Sequence, residues 1–361
     1  MFFHGDIKGN RLPRGILCLT YDDGPGPRTH ELCDYLYESE IRAAFFVIGG
    51  HAEAHPEVLE RLVLRDHLVG NHTTTHPGLV ALAQGGGDVV REIAETDRIL
   101  GETARRPPTY VRAPYGNWRE TVAPGGGPDR PTSVVAGLLN RSGLSHDHVG
   151  PINWDISGHD HDYWRDGRPA EECAREYLER IERAGSGIVL MHDSSNDPVI
   201  RAGNRTFEVT RMIVPRLRAE GYRFVGLDEV PQVQSAARVS RQVALLAEGG
   251  GYLGLLADDR VAERGGEIGP GEQFGLVDLG EDRVAVRASQ GLFLSHRRES
   301  GTLRADARSV GPRETFRRSK LGKGRVALRD PDGQPLRAGG RQERPTRTGA
   351  AGRYIEIDLF R

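Results

Sequence analysis

The 361-residue sequence is poor in cysteine, with only Cys18, Cys33 and Cys173. An odd, sparse set excludes a disulfide framework. No run of about 18 apolar residues occurs, which excludes a membrane-spanning helix. The opening stretch, "MFFHGDIKGNRLPRG", lacks the core of about 7–15 apolar residues that a secretory leader needs. As written, the chain is expected in the cytoplasm; a leader trimmed from it would place it outside the cell. Strong charge of one sign is missing too: the net charge is −2, and no nucleic-acid partner is expected. That balance conceals an asymmetry. Residues 237–361 carry about +6 and the first 236 about −8. The plain reading is two solvated surfaces. The sharper one is a basic C-terminal module that meets an anionic polymer.

What is present is ordinary for a globular protein: 37% hydrophobic and 28% charged residues, in a chain long enough for two domains. Residues 16–226 alternate short apolar runs with helical patterns. Strands are expected at "ILCLTY" (16–21), "AAFFVI" (43–48), "TYVRA" (109–113), "INWDI" (152–156), "GIVLM" (187–191) and "RFVGL" (223–227). In 170–184, Ala174, Tyr177, Leu178 and Ile181 share one helical face, and Gly185 is a natural stop. Strand-then-helix order predicts an α/β fold with a mostly parallel sheet, open or closed into a barrel. Ligand sites in such folds lie at the C-terminal ends of strands. Cys18 reads as core. "QGGGD" (84–88) and "PGGGP" (124–128) read as loops, and "PQVQSAARVS" (231–240) as a linker between domains 1–230 and 241–361.

The first strand ends in "LTYDDGPGP" (19–27). Side chains alternate across a strand, so Asp22 and Asp23 point in different directions. They can do two jobs in one pocket, one facing a metal and the other a substrate or water. "GNHTTTH" (70–76) adds His72 and His76, whose spacing puts two imidazoles on one side of a short helical turn. Zinc accepts two histidines and one carboxylate with positions left for water. "VRAPYGNW" (111–118) supplies Arg112, a permanent cation able to aim a carboxylate, and a turn able to expose a backbone N–H. In "GIVLMHDSS" (187–195), His192 follows a buried-type strand and could act as a general acid. His51 and His55 read as helix-start surface residues.

These stretches, in this order, resemble the polysaccharide deacetylase family, carbohydrate esterase family four, over about residues 15–230. The resemblance implies a distorted (β/α) barrel that removes N-acetyl or O-acetyl groups from a carbohydrate, such as chitin oligomers. It implies a divalent metal, zinc first, with Co2+, Ni2+ or Mn2+ as substitutes. Carried over, Asp23, His72 and His76 become metal ligands, Asp22 the catalytic base and His192 the catalytic acid. Arg112 tunes Asp22, the Tyr115 N–H becomes an oxyanion donor, and Leu190 lines the acetate pocket. The family's aspartate-tryptophan pair is altered in "WDISGHDHDYW" (154–164). Asp160 is the favoured supporting acid and Trp164 the favoured groove wall. His159 and His161 read as solvated loop residues, with sugar contact or a second metal as alternatives. Rival readings are an amidase or deformylase acting on a small acylated amino sugar, and a silent carbohydrate-binding protein.

After residue 240 the pattern changes. "VALLAEGGGYL" (243–253), "VAVRASQGLFL" (284–294) and "VALRDPDGQPL" (326–336) recur at spacings of about 41 and 42 residues. "EIGPGEQF" (267–274) matches "SVGPRETF" (309–316). Three strand-rich units resemble an all-β, fascin-like β-trefoil. That resemblance implies binding to glycan or to filaments.

Overall fold

The computed structural model describes residues 2–105, 108–119, 133–142, 144, 148–237, 239–247, 250–265, 267–289, 292–297, 302–307, 310–322, 324–330, 332–336 and 353–358. The loop expected at 124–128 lies outside them.

The first unit is α/β. Its larger parallel sheet has the order β4 (Leu68–Asn71), β3 (Ala44–Val47), β2 (Ile16–Asp22), β8 (Gly187–His192), β7 (Ile156–Ser157), with β9 (Arg223–Phe224) also on β2. A second parallel sheet joins β1 (Phe2–Ile7), β6 (His148–Ile152) and β5 (Thr109–Tyr110). Among the described residues one isolated bridge, Asn71 to Val111, links the two sheets. Among the described residues no strand pair joins β1 to β7, so the ring of the expected barrel is open there.

Alternation along β2 explains why it is buried on both faces. Leu17, Leu19 and Tyr21 pack outward with Phe45, Val47, Val189 and Met191 under the helices Ala170–Ala184 and Thr206–Ala219. Ile16 and Cys18 face inward against Phe46, Ile188, Tyr110, Val149 and Ile152. A parallel strand covered on both sides reads as a continuous apolar run, which is how "ILCLTY" looks. Helix Ala170–Ala184 ends where expected, with Gly185 at φ 78°, a value that suits glycine.

Sequence and structure differ at several elements. Strands β1 and β4 lay outside the expected set. "INWDI" is not one strand: β6 ends at Ile152 and β7 begins at Ile156, where the chain passes from one sheet to the other. The expected linker 231–240 holds the helix Pro231–Ala237, whose Val233 and Ala236 are buried in the first unit's core. Its polar composition concealed those two inward positions.

The second unit is all-β. Its strands are β10 (Val239–Ala247), β11 (Tyr252–Leu255), β12 (Arg260–Arg264), β13 (Phe274–Gly280), β14 (Arg283–Ala288), β15 (Phe293–Arg297), β16 (Thr302–Ala307), β17 (Phe316–Gly322), β18 (Arg325–Arg329) and β19 (Arg353–Asp358). The pairings β10–β13–β14–β17–β18–β19–β10 close into a barrel. Val243, Phe274, Val286, Phe316, Leu328 and Tyr354 fill its core. The barrel docks on β1. The Gly5 N–H donates to the Ser289 carbonyl at 3.3 Å. The Arg287 guanidinium lies 4.4 Å from the Phe3 ring centre.

Candidate metal centre and active site

Register places the site. Asp22 is level with His192 on β8 and Phe46 on β3, and Val47 is level with Asn71 on β4. Four strands therefore end at one rim, and His72 follows directly. There Asp22, Asp23, His72, His76, Tyr115, Leu190 and His192 line one open cavity of about 760 Å³.

The two aspartates diverge. Asp22 continues the inward side of β2, where Arg112 Nη1 donates to its Oδ1 at 2.7 Å and to Thr20 Oγ1 at 2.8 Å. Arg112 is fully buried, stacks 4.1 Å from the Phe46 ring and donates from Nε to the Ile152 carbonyl at 3.1 Å. A buried ion pair of this kind depends on such extra partners to offset its desolvation. Asp23 turns the other way, its backbone at φ 71°. Glycine suits the next position, because a Cβ on Gly24 would press against the buried Asp193 carboxylate.

His72 Nε2 lies 3.3 Å from Asp23 Oδ1, and His76 Nε2 lies 3.1 Å from the same oxygen. That oxygen is buried with no hydrogen-bond partner. His72 Nδ1 donates to the Arg112 carbonyl at 2.8 Å, which aims Nε2 at the carboxylate. Two imidazoles and one carboxylate converging on an unsatisfied oxygen fit a divalent cation of borderline softness. Burial would raise the Asp23 carboxyl, but His72 and His76 hold it far below the usual range. Burial would lower His72, yet Asp22 and Asp23 raise it.

His72 and His76 do not share a helical turn. They lie on an irregular loop with left-handed backbone at Thr73 (φ 69°) and His76 (φ 64°). The loop is tied down from outside. Glu92, on the helix Val89–Ala104, accepts from the N–H groups of Thr74 and Thr75 at 3.0 and 2.9 Å and from the Thr75 hydroxyl at 2.8 Å. Asn71 accepts from the Thr73 N–H at 2.9 Å and donates to buried Asp97 at 2.9 Å.

Across the cavity stands a second pair. His192 Nδ1 donates to Asp160 Oδ1 at 2.8 Å, and the His192 N–H donates to Oδ2 at 2.7 Å. Thr206 Oγ1 adds a donor at 3.2 Å. Burial alone would lower His192, but the Asp160 charge pushes it up to about 10. Asp160 is correspondingly held down by His192 against its own burial. The Asp160 contact thus favours the protonated form of His192. Beneath the rim, burial pushes Asp193 up to about 7; Thr29 donates to it, and the Asp23 charge adds to the rise.

Tyr115 is 74% exposed at φ 59°, its ring edge-on to His76 at 4.6 Å. Trp164 corrects an expectation. It is 2% exposed, packs in the core and donates from Nε1 to Thr206 at 3.1 Å, so it is no groove wall. Trp154 lines the cavity instead. His159 and His161 line it too, and the His161 ring lies 5.3 Å from that of His192. His159, His161 and Asp162 also form a group able to hold a cation. His51, expected as a surface residue, donates from Nδ1 to the Asp23 carbonyl at 2.7 Å. His55 is exposed, as expected. Glu92, Asn71, His51 and Trp154 were missed. Asn71, next to His72, and Trp154, at the start of "WDISGHDHDYW", lay within the quoted motifs; Glu92 had no signal there.

A family model described as polysaccharide deacetylase matches residues 9–125. A chitooligosaccharide deacetylase of Rhizobium leguminosarum bv. trifolii is 31% identical over 221 residues, which is 59% of this chain and 89% of that protein. A chitin deacetylase of Colletotrichum lindemuthianum is 29% identical over 60% of this chain and 79% of that protein. Among solved structures, a peptidoglycan N-acetylglucosamine deacetylase aligns with a TM-score of 0.48 and 22% identity, covering 63% of this chain and 92% of that one. With nearly the whole of a 31% identical relative matched, and with the paired aspartates, two histidines, arginine and distal histidine gathered at one rim, this chain belongs to the polysaccharide deacetylase family.

Proposed function

We propose that the first unit, through Ala237, is a divalent-metal-dependent hydrolase that removes N-acetyl groups from oligomers of an amino sugar, chitooligosaccharides foremost. The observation that carries this is the divergence of Asp22 and Asp23: one carboxylate faces Arg112, the other faces two imidazoles. Asp23, His72 and His76 would hold the cation, zinc first. When bound, it would polarise the acetyl carbonyl and lower the pKa of a water. Asp22, aimed by Arg112, takes a proton from the attacking water. The Tyr115 N–H donates to the developing oxyanion, a contribution typically worth about 3 kcal/mol. His192, its protonated form favoured by Asp160, donates its proton to the leaving amine. Leu190 bounds the space for the acetyl methyl group.

The test is acetate release from N-acetylglucosamine oligomers and from O-acetylated xylan, before and after chelation and readdition of zinc. Release from the amino-sugar oligomers that chelation abolishes and zinc restores is the expected result. Release unaffected by chelation ends the metal assignment, and release only from the esters ends the amide assignment.

We further propose that the second unit, from Val239, is a fascin-like β-trefoil. Its six-stranded closed ring carries the hairpins β11–β12 and β15–β16, as two of three such units would supply.

A further inference from the structure

The second unit is electrically lopsided. Residues 283–361 hold 19 Lys and Arg against 8 Asp and Glu, whereas residues 238–282 hold 4 against 9. The barrel places part of this excess in one line. Arg283 on β14 is directly opposite Arg317 on β17, and Arg317 is directly opposite Arg329 on β18. Arg353 on β19 is opposite Ala327, hence diagonal to Arg329. All four are exposed. Their neighbours Val284, Phe316, Leu328 and Tyr354 point into the core, so alternation puts the four guanidinium groups on the outer face. Arg325 follows on the same face of β18.

Like charges directly opposite one another destabilise a sheet. Glu281 pairs with Arg283 at 3.1 Å, but its side chain is 85% exposed. Asp282 stands in the same turn. Glu356 is taken by Arg318, at 2.6 Å to Nε. Arg329 donates to the Gly333 carbonyl at 2.9 Å. The row crosses four neighbouring strands, so its charges repeat at about the strand spacing, roughly 5 Å. A compact anion would meet one or two of them; an extended polyanion can meet all. On β14 the same face continues to Arg287, which contacts the first unit at Phe3. A polymer on the row would thus be held by a barrel docked directly on the deacetylase unit.

We propose that the Arg283–Arg317–Arg329–Arg353 row binds an acidic polysaccharide, one carrying carboxylates along its length. Arginine's planar fork matches carboxylates. A glycan rather than a nucleic acid follows from two things. The choice rests on the proposed deacetylase reading of the first unit. In addition, the aromatic residues next to the row, Phe316 and Tyr354, point into the core, so the row offers single-stranded bases no ring to stack on.

The test uses the full chain and polygalacturonate as probe, with affinity measured between low and physiological salt. Neutral chitin oligomers and duplex DNA serve as comparison ligands. Binding to polygalacturonate that weakens with salt is expected. The R283S/R317S/R329S variant should bind about 10-fold more weakly or worse, with a shallower salt dependence. A control of equal charge change in the first unit, R91S/R98S/R216S, should keep the affinity. Unchanged melting temperatures show that each variant is folded. The proposal is overturned if the triple variant binds like the parent or if the control loses as much. It also falls if the neutral oligomer or the DNA binds as tightly as polygalacturonate. Binding is read without turnover, so its failure and failure of the deacetylase reading are separate results.

Discussion

The rim of the first unit and the outer face of the second use charge in opposite ways. At the rim, Asp22, Asp23, Arg112, Asp160, His72 and His192 are largely buried, and each is positioned by a named partner. On the barrel, Arg283, Arg317, Arg329 and Arg353 are exposed, and like charges face one another. Electrostatics in the low-dielectric rim is strong and depends on geometry within a few tenths of an ångström. On the barrel it is screened by water and salt, and what counts is how many charges align. The first arrangement suits moving a proton; the second suits holding a polymer.

Substitutions can break this contrast. The largest effect is expected from Asp22→Asn, which keeps shape and loses the base. Turnover should fall by at least about 100-fold while bound metal stays near one per chain. Retained activity, measured as acetate release, would remove Asp22 from its role. Next comes Arg112→Ala. It leaves a buried carboxylate without its cation and should cost about 3–5 kcal/mol of stability in urea titrations. The matched change on the barrel, Arg317→Ala, should shift stability by no more than about 0.5 kcal/mol. Equal losses at the two sites would erase the distinction.

Asp160→Asn sharpens the picture through pH. His192 carries its proton below its pKa, so a step that needs this proton is present at neutral pH and is lost as pH rises through about 10. Without the Asp160 charge the upward push disappears while burial still acts. The alkaline limb of the kcat profile should therefore move to lower pH. An unmoved limb would assign it to another group. The smallest effect at the rim is expected at Glu92, which touches the loop and not the cation. Glu92→Gln weakens its hydrogen bonds to Thr74 and Thr75 and should lower metal affinity by about 10-fold, read by competition with a chelator. Unchanged affinity would mean that the loop holds its shape alone.

How much of this was legible depends on range. The strands that carry Asp22 and His192, the helix ending at Gly185 and the repeats of the second unit are local patterns of apolar residues and turns. They read directly from the chain. Trp164 was read wrongly because two tryptophans flank the same motif, and only packing shows that Trp154 faces the cavity while Trp164 faces Thr206. The helix Pro231–Ala237 looked like a linker because just a few of its residues are buried.

By itself the sequence determined which chemical groups exist and at which strand ends they fall, because side-chain alternation and apolar periodicity are properties of neighbours along the chain. Only the tertiary structure decided that Glu92 braces the His72–His76 loop, that His51 reaches the Asp23 carbonyl and that four arginines share one row. Those relations join residues 12 to 70 positions apart. No local pattern encodes them, since they arise from strand register and from helices packed against the sheet.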